Sequence, residues 1–159
     1  MPNRFDFNPQ TQDIGFPIYP KGTYEFEIGE PKTYNRTAKN AGDPDRYGVS
    51  VLLKCSEGEM KGKVYNVNFD FSSDYGPANA MTFLVVASGH DANDEGVAAF
   101  RAETQGKDFT VDVEQKLLGD GWTECMKGQK VLGDMDTEAD PNNVGKLRQK
   151  FPKWLPVQR

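Results

Sequence analysis

Three stretches of the chain alternate between apolar and polar residues, and this period of two constrains the fold more than any other feature. The apolar positions are Tyr24, Phe26 and Ile28 in the first stretch, Val49, Val51 and Leu53 in the second, and Tyr65, Val67 and Phe69 in the third. Successive side chains of a strand point to opposite faces of its sheet. The sequence therefore predicts three half-buried strands that send their apolar stripes into one core, with Phe71 as the aromatic that could still be exposed.

The period then changes to that of a helix. Pro77 suits the first turn of a helix and Gly89 suits its end, with Leu84 and Val85 on one face between them. A second, shorter helix is predicted over residues 94–105. The second half of the chain is thus expected to start with helical structure.

Alternation returns in residues 107–116, and a last strand is expected within residues 122–132. The order of three strands, a helix and two strands is the chain order of the OB barrel. The sequence predicts a mainly β fold, a five-stranded OB-fold-like Greek-key barrel with a helix between strands 3 and 4. Other small β-barrels and sandwiches produce similar patterns and stay open as alternatives.

The 159 residues are enough for about one domain. Residues 1–21 hold four prolines and little periodicity, so they are predicted to form an extended N-terminal arm. Residues 22–133 are assigned to the OB-fold domain. Residues 134–159 are expected to be an acidic linker and a basic, mobile tail.

Several kinds of protein and of site have little support in the sequence. No long apolar run and no secretory signal occur, which indicates a soluble, cytoplasmic protein without a membrane span. The two cysteines, Cys55 and Cys125, show neither disulfide nor zinc spacing. His90, the single histidine, accompanies no catalytic motif. We therefore expect no enzymatic activity and no cofactor.

The acidic residues of the linker superficially resemble a calcium-binding loop. They stand at alternate positions, Asp134, Asp136, Glu138 and Asp140. The sixth position of such a loop needs glycine and here is Ala139, and the twelfth needs glutamate and here is Gly145. A solvated acidic linker is therefore expected, and no metal site.

Positive charge is segregated, although the net charge is -5. Cations concentrate within residues 31–73 and in the tail. In an OB barrel, the ligand crosses the outer face of strands 2 and 3 between two clamping loops. The DNA-binding residues predicted on this basis are Lys32, Tyr34, Arg36, Lys39 and Arg46 in the first loop, Lys54, Lys63, Asn66 and Asn68 on the outer face, and Trp122, Lys127 and Lys130 in the second loop region.

Cations that track phosphates and rings that stack on bases are what single-stranded nucleic acid requires. Each element also has a plainer interpretation. The first loop could simply be solvated, Trp122 could belong to the core, and the two asparagines could be ordinary solvent-facing strand residues. The coincidence of charge and predicted surface favours the binding interpretation.

Three segments carry a family resemblance: FDFNPQTQ at 5–12, YPKGTYEFEI at 19–28 and GEMKGKVYNVNF at 58–69. They resemble a family of small bacteriophage proteins, regarded as OB-fold single-stranded DNA-binding proteins encoded among replication and recombination genes. The resemblance covers about residues 5–133 and rests on turns and strand starts. It transfers no site residue. Phage proteins of this kind often end in an acidic tail that recruits replication partners, whereas here the terminus is basic.

The resemblance implies a viral, DNA-binding protein without enzymatic activity, located in the host cytoplasm. It would coat and protect single-stranded DNA during DNA replication or recombination, largely independently of sequence. Phage or host replication proteins are possible partners. The alternative is a structural or adaptor β-barrel that binds a protein, and a third possibility is an RNA-binding module.

Overall fold

The computed structural model describes residues 21–38, 40–43, 45–142 and 144–157. Ten strands occur in this part of the chain: Gly22–Ile28 (β1), Lys32–Arg36 (β2), Arg46–Cys55 (β3), Val64–Asp70 (β4), Val111–Asp112 (β5), Leu117–Leu118 (β6), Lys130–Met135 (β7), Thr137–Ala139 (β8), Leu147–Gln149 (β9) and Lys153–Pro156 (β10). Three helices accompany them: Tyr75–Ala87 (α1), Asp94–Glu103 (α2) and Asp120–Met126 (α3). The predicted N-terminal arm lies outside the described residues except for Lys21.

A six-stranded antiparallel sheet forms the centre of the fold, which confirms the mainly β class. Its strands run in the order β10, β7, β1, β3, with β4 on the far edge of β3. β2 continues beyond β1 and pairs with the first half of β3, while β1 pairs with the end of β3. Within the described residues no pairing joins β4 to β10, so the sheet does not close into a barrel.

The three alternating stretches predicted to form the core are β1, β3 and β4, and their apolar stripes do face one interior. Phe26, Val51 and Val67 are buried, one from each strand. Tyr24 and Tyr65 are partly buried against the same cluster. The prediction of a shared core is confirmed.

Both predicted helices are present and cover this core. α1 buries Phe83 and Leu84 against the sheet and is followed by Gly89, whose positive φ of 88° ends the helix as predicted. α2 begins after Asn93, whose side chain accepts a hydrogen bond of 2.8 Å from the Gly96 N–H. None of the helices in the described part of the chain combines the length and the apolar character that a membrane span requires.

Two predictions for the second half of the chain are wrong in extent or type. Of the strand expected in 107–116, only the two residues of β5 are in strand conformation. β5 pairs with β6 in a hairpin separate from the main sheet. The region 122–132 begins in α3 instead of a strand, and β7 starts only at Lys130. Trp122, Cys125 and Met126 are spaced so that one helical face buries all three, whereas a strand would bury only alternate residues.

The polar segment 31–46, expected to be one long loop, contains a strand. β2 pairs with β3 over five residues and shortens the loop to residues 37–45. Thr33, directly opposite Val49, is half-buried, so β2 belongs to the sheet and not to the loop.

The expected mobile tail is instead part of the folded domain. β10 pairs with β7 along four residues and adds an edge to the main sheet. Trp154 of β10 is 5% exposed and packs edge-on against Phe83, with ring centroids 5.2 Å apart. Residue 133 is therefore not the end of the structural unit.

The acidic linker and the basic tail form the two strands of one hairpin, β8 and β9. Glu138 lies opposite Arg148, and the two side chains form an ion pair of 2.8 Å. Backbone hydrogen bonds join Asp140 to Lys146 and Lys150 to Asp136, which extends the ladder by one pair at each end. Acids at alternate positions thus face bases at alternate positions on one side of the hairpin.

Candidate nucleic-acid-binding face

The side of β2, β3 and β4 that points away from the core carries most of the predicted site. Directly opposite residues of antiparallel strands lie on the same face, and so do alternate residues of one strand. We call this surface the outer face; its members are Lys32, Tyr34 and Arg36 on β2, Arg46, Gly48, Ser50, Leu52 and Lys54 on β3, and Val64, Asn66, Asn68 and Asp70 on β4.

Seven of the predicted site residues share the outer face: Lys32, Tyr34, Arg36, Arg46, Lys54, Asn66 and Asn68. Three of them come from β2, the strand that was expected to be loop. The pairing of β2 with β3 therefore turns a flexible set of cations into a fixed row beside the asparagines of β4.

The cations of the outer face lie close to one another. Arg36 stands directly opposite Arg46, and Lys32 directly opposite Ser50. Like charges placed opposite each other on neighbouring strands are destabilising. An anion bound between the two arginines would relieve this repulsion, so the end of the β2–β3 pair is suited to a phosphate.

Tyr34 is the aromatic side chain of the outer face, and it is half-buried. Burial raises the pKa of its hydroxyl, and the charge of Asp70 raises it further. The guanidinium groups of Arg36 and Arg46 act on the same pKa in the opposite direction. The hydroxyl therefore lies near all three charges, and Gly48, the direct partner of Tyr34 on β3, has no side chain.

Hydrogen-bonding side chains cross from β3 to β4 on the outer face. The Ser50 hydroxyl donates to Asn66 Oδ1 at 3.1 Å, and Asn66 Nδ2 donates to Asn68 Oδ1 at 3.1 Å. We call this series the amide chain. It orients both asparagine side chains before any ligand arrives, which reduces the entropy that binding would cost.

A shallow groove of about 530 Å³ lies beside the amide chain. Its floor includes Leu52, which is 47% exposed, and Lys32 and Lys54 line its sides. Glu27 and Glu30 close it on the side of β1. The groove combines an apolar surface with two cations, of which Lys54 lies directly opposite Glu27.

Trp122, predicted as a base-stacking residue, is a core residue. It is 4% exposed, and its Nε1 donates a hydrogen bond of 2.8 Å to the Phe109 carbonyl. Its ring also packs against Phe71, at 6.2 Å between centroids. Trp122 thus belongs to the core, as the alternative interpretation held, and Phe71 packs against it.

The remaining predicted residues lie around the outer face or outside the described structure. Lys127 is exposed at the end of α3. Lys130 begins β7 and forms an ion pair of 3.2 Å with Glu25. Lys63 is exposed in the turn before β4. Lys39 belongs to the residues that are not described.

Sequence reasoning did not select Gly48, Leu52 or Asp70 as site residues. The alternation that placed Asn66 and Asn68 outward places Asp70 outward as well, so the signal was present for that residue. The importance of Gly48 depends on the approach of another strand and could not be read from the pattern.

Replacing Gly48 with alanine is expected to destabilise the protein by about 1–3 kcal/mol, the usual cost of forcing extra volume into a packed site. A Cβ at this position would lie 1.9 Å from the Phe69 carbonyl oxygen. Chemical denaturation would measure the loss. Ser50→Ala, two residues along the same strand, is the control and should change the free energy of unfolding by less; equal effects would contradict a close approach of β4 at Gly48.

Comparison of the chain with models of known protein families returned no match, and neither did a search of curated proteins. The function must therefore be inferred from the residues of the outer face.

Proposed function

We propose that the protein binds single-stranded DNA and coats and protects it during phage DNA replication or recombination, with little dependence on sequence. One observation carries the proposal. The register of β2, β3 and β4 places a row of cations, an aromatic ring and a series of hydrogen-bonding side chains on one face.

Each part of the outer face suits a different part of a single strand. Lysine and arginine neutralise phosphates and release counterions, while an aromatic ring stacks on any base because every base has a π face. The Tyr34 ring can stack only on a base that is unpaired. The outer face therefore fits a single strand better than a duplex.

The strand order supports an OB-like architecture. If β1 and β2 are counted as one interrupted strand, then β1/β2, β3, β4, β7 and β10 are five strands, and α1 lies between the third and the fourth. OB-folds are partly open, and their ligands cross strands 2 and 3. In this alignment those strands are β3 and β4, which carry the outer face. The second clamping loop would then be residues 136–152 and not the predicted 122–130.

The proposal is tested by titrating the protein into a labelled oligo-dT at two salt concentrations and measuring fluorescence anisotropy. Binding that weakens steeply with salt is expected. Because Trp122 and Trp154 are buried, the label belongs on the DNA and not on the protein. No binding at low salt would refute the proposal, and oligo-rU of the same length separates DNA from RNA preference.

Tyr34→Ala should weaken oligo-dT binding by the value of one base stack, about 1–3 kcal/mol or roughly 5- to 150-fold. Tyr34→Phe keeps the ring and should bind within about twofold of the original protein. Both variants are compared by anisotropy, with thermal unfolding as a check that the sheet is intact. Equal losses in the two variants would show that the hydroxyl, and not stacking, matters.

A protein-binding adaptor remains the second candidate because of one observation. An apolar groove of about 360 Å³ lies between α1 and α2, lined by Met81, Leu84 and Phe100 among others. Close to it, Tyr75 at the start of α1 is 79% exposed. The titration above separates the two candidates, since an adaptor that uses this groove would leave oligo-dT unbound.

A further inference from the structure

Asp70 is a carboxylate on a face otherwise rich in cations. It lies in one row with Gly48 and Tyr34, on the strand next to Gly48. A surface that held only phosphates would be weakened by a negative charge at this position. Asp70 instead gives this row a hydrogen-bond acceptor, which suits a part of the ligand that donates hydrogen bonds.

Asp70 is held in place at the end of β4. Its Oδ1 accepts hydrogen bonds from the Ser72 N–H at 3.0 Å and from the Ser72 hydroxyl at 2.5 Å. The Ser72 hydroxyl bond is the main cause that lowers the pKa of Asp70, and the charge of Arg46 acts in the same direction. A hydrogen bond from the Tyr47 backbone N–H also lowers this pKa. The group is thus ionised at neutral pH, and because a carboxylate offers about four lone-pair sites, these three donors do not exhaust its capacity to accept.

The neighbouring Asn68 supplies the complementary group. The amide chain runs from Ser50 through Asn66 to Asn68, and it uses the oxygen of Asn68 as its last acceptor. The Asn68 NH₂ group can therefore donate outward. A donor on Asn68 and an acceptor on Asp70 then stand two residues apart on the same side of β4.

The dimensions of this row suit a nucleobase. Neighbouring strands are about 4.8 Å apart, so β2 and β4 are separated by roughly 10 Å across β3. Gly48 contributes no side chain between Tyr34 and Asp70. Because the Tyr34 hydroxyl lies near the Asp70 charge, a base that stacks on the Tyr34 ring would also lie near Asp70.

We propose that Tyr34, Asn68 and Asp70 form a base subsite that prefers bases with an exocyclic amino group over thymine. The base stacks on Tyr34, its amino group donates to Asp70, and an adjacent ring nitrogen or carbonyl accepts from Asn68. Cytosine and adenine both offer an amino donor beside an acceptor, and a carboxylate is the usual partner of the cytosine amino group. The N3–H of thymine is also a donor, but it lies between two carbonyl oxygens that repel a carboxylate. This inference rests on the proposed function and adds a modest base preference to it.

The test compares labelled oligo-dC, oligo-dA and oligo-dT of equal length at one salt concentration. The original protein should bind oligo-dC and oligo-dA more tightly than oligo-dT by about tenfold or more, as expected for one charged hydrogen bond. Asp70→Asn keeps an oxygen that Ser72 can hold and turns an NH₂ toward the base. In this variant the preference should fall to within about twofold or invert in favour of oligo-dT.

Asp43→Asn is the matched control, since it removes the same charge from an exposed position outside the row. It should leave the base preference unchanged. A preference that is absent in the original protein, or that survives Asp70→Asn, would overturn the subsite while leaving DNA binding intact. If none of the oligonucleotides binds the original protein at low salt, the proposed function itself fails.

Discussion

Trp154→Ala is expected to lower the free energy of unfolding by about 3–5 kcal/mol, the range seen when a buried tryptophan or phenylalanine is truncated. Trp154 belongs to the core although only five residues follow it in the sequence. Its ring contacts Phe26, with centroids 6.2 Å apart, and Tyr65 at 6.1 Å. The loss should appear as a lower denaturation midpoint in urea.

Phe151→Ala is the control for this experiment. Phe151 lies three residues earlier in the same segment and is 57% exposed, so its truncation should change stability by less than about 0.5 kcal/mol. Unfolding can be followed by circular dichroism and by the fluorescence of Trp122, which both variants retain. If the two variants were equally stable, β10 would not be part of the folded domain.

The core of this fold was predictable because it depends on a local pattern. Strict alternation in β1, β3 and β4 defines which face of each strand is buried. This can be read from each strand alone, without knowing which strands pair with it. For the same reason the opposite face was predictable, and Lys54, Asn66 and Asn68 lie where the alternation puts them.

The helix α3 is hard to predict from the sequence because Trp122, Thr123 and Cys125 are not strong helix formers. The decisive signal was the spacing of buried residues, since Trp122, Cys125 and Met126 follow a helical period. Tertiary packing decides the structure of so short a segment, and the seven residues were too few for periodicity to be read alone.

The structure of the C-terminal segment depends on the spacing of its charges and not on their sum. A block of acids followed by a block of bases suggests a linker and a tail, but the alternate spacing within each block matches a hairpin. Asp134 likewise lies opposite Lys153 in the pairing of β7 with β10. Exposed ion pairs of this kind contribute little stability, so they specify the register of the strands more than they hold them together.

The outer face was predicted in part because its two halves depend on different information. The residues of β3 and β4 follow from alternation, whereas those of β2 required the pairing of a polar segment with β3. That pairing brings Arg36 opposite Arg46, and no local pattern could show it. The burial of Trp122 could not be predicted for the same reason, since the place of the second loop region depends on which segments form the last strands.

Replacing Lys32, Arg36 and Arg46 together with alanine is expected to weaken oligo-dT binding by about 100-fold at 0.1 M salt. Each phosphate contact to a single strand contributes about 0.7 to the slope of log K against log salt, so three contacts account for a slope change of about two. The three side chains are exposed, and their loss should leave the thermal unfolding temperature nearly unchanged. Anisotropy titrations at several salt concentrations give both the affinity and the slope.

The matched control replaces Lys21, Arg101 and Lys107 with alanine, which lowers the net charge by the same amount at positions outside β2, β3 and β4. If binding were a response to overall charge, the two triple variants would lose affinity equally and show the same slope. If only the Lys32, Arg36 and Arg46 triple variant loses affinity, and its binding depends less on salt, then phosphates contact the outer face itself. The chain is acidic overall, with a net charge of -5. A difference in affinity between the two triple variants would therefore come from where the cations lie and not from how many there are.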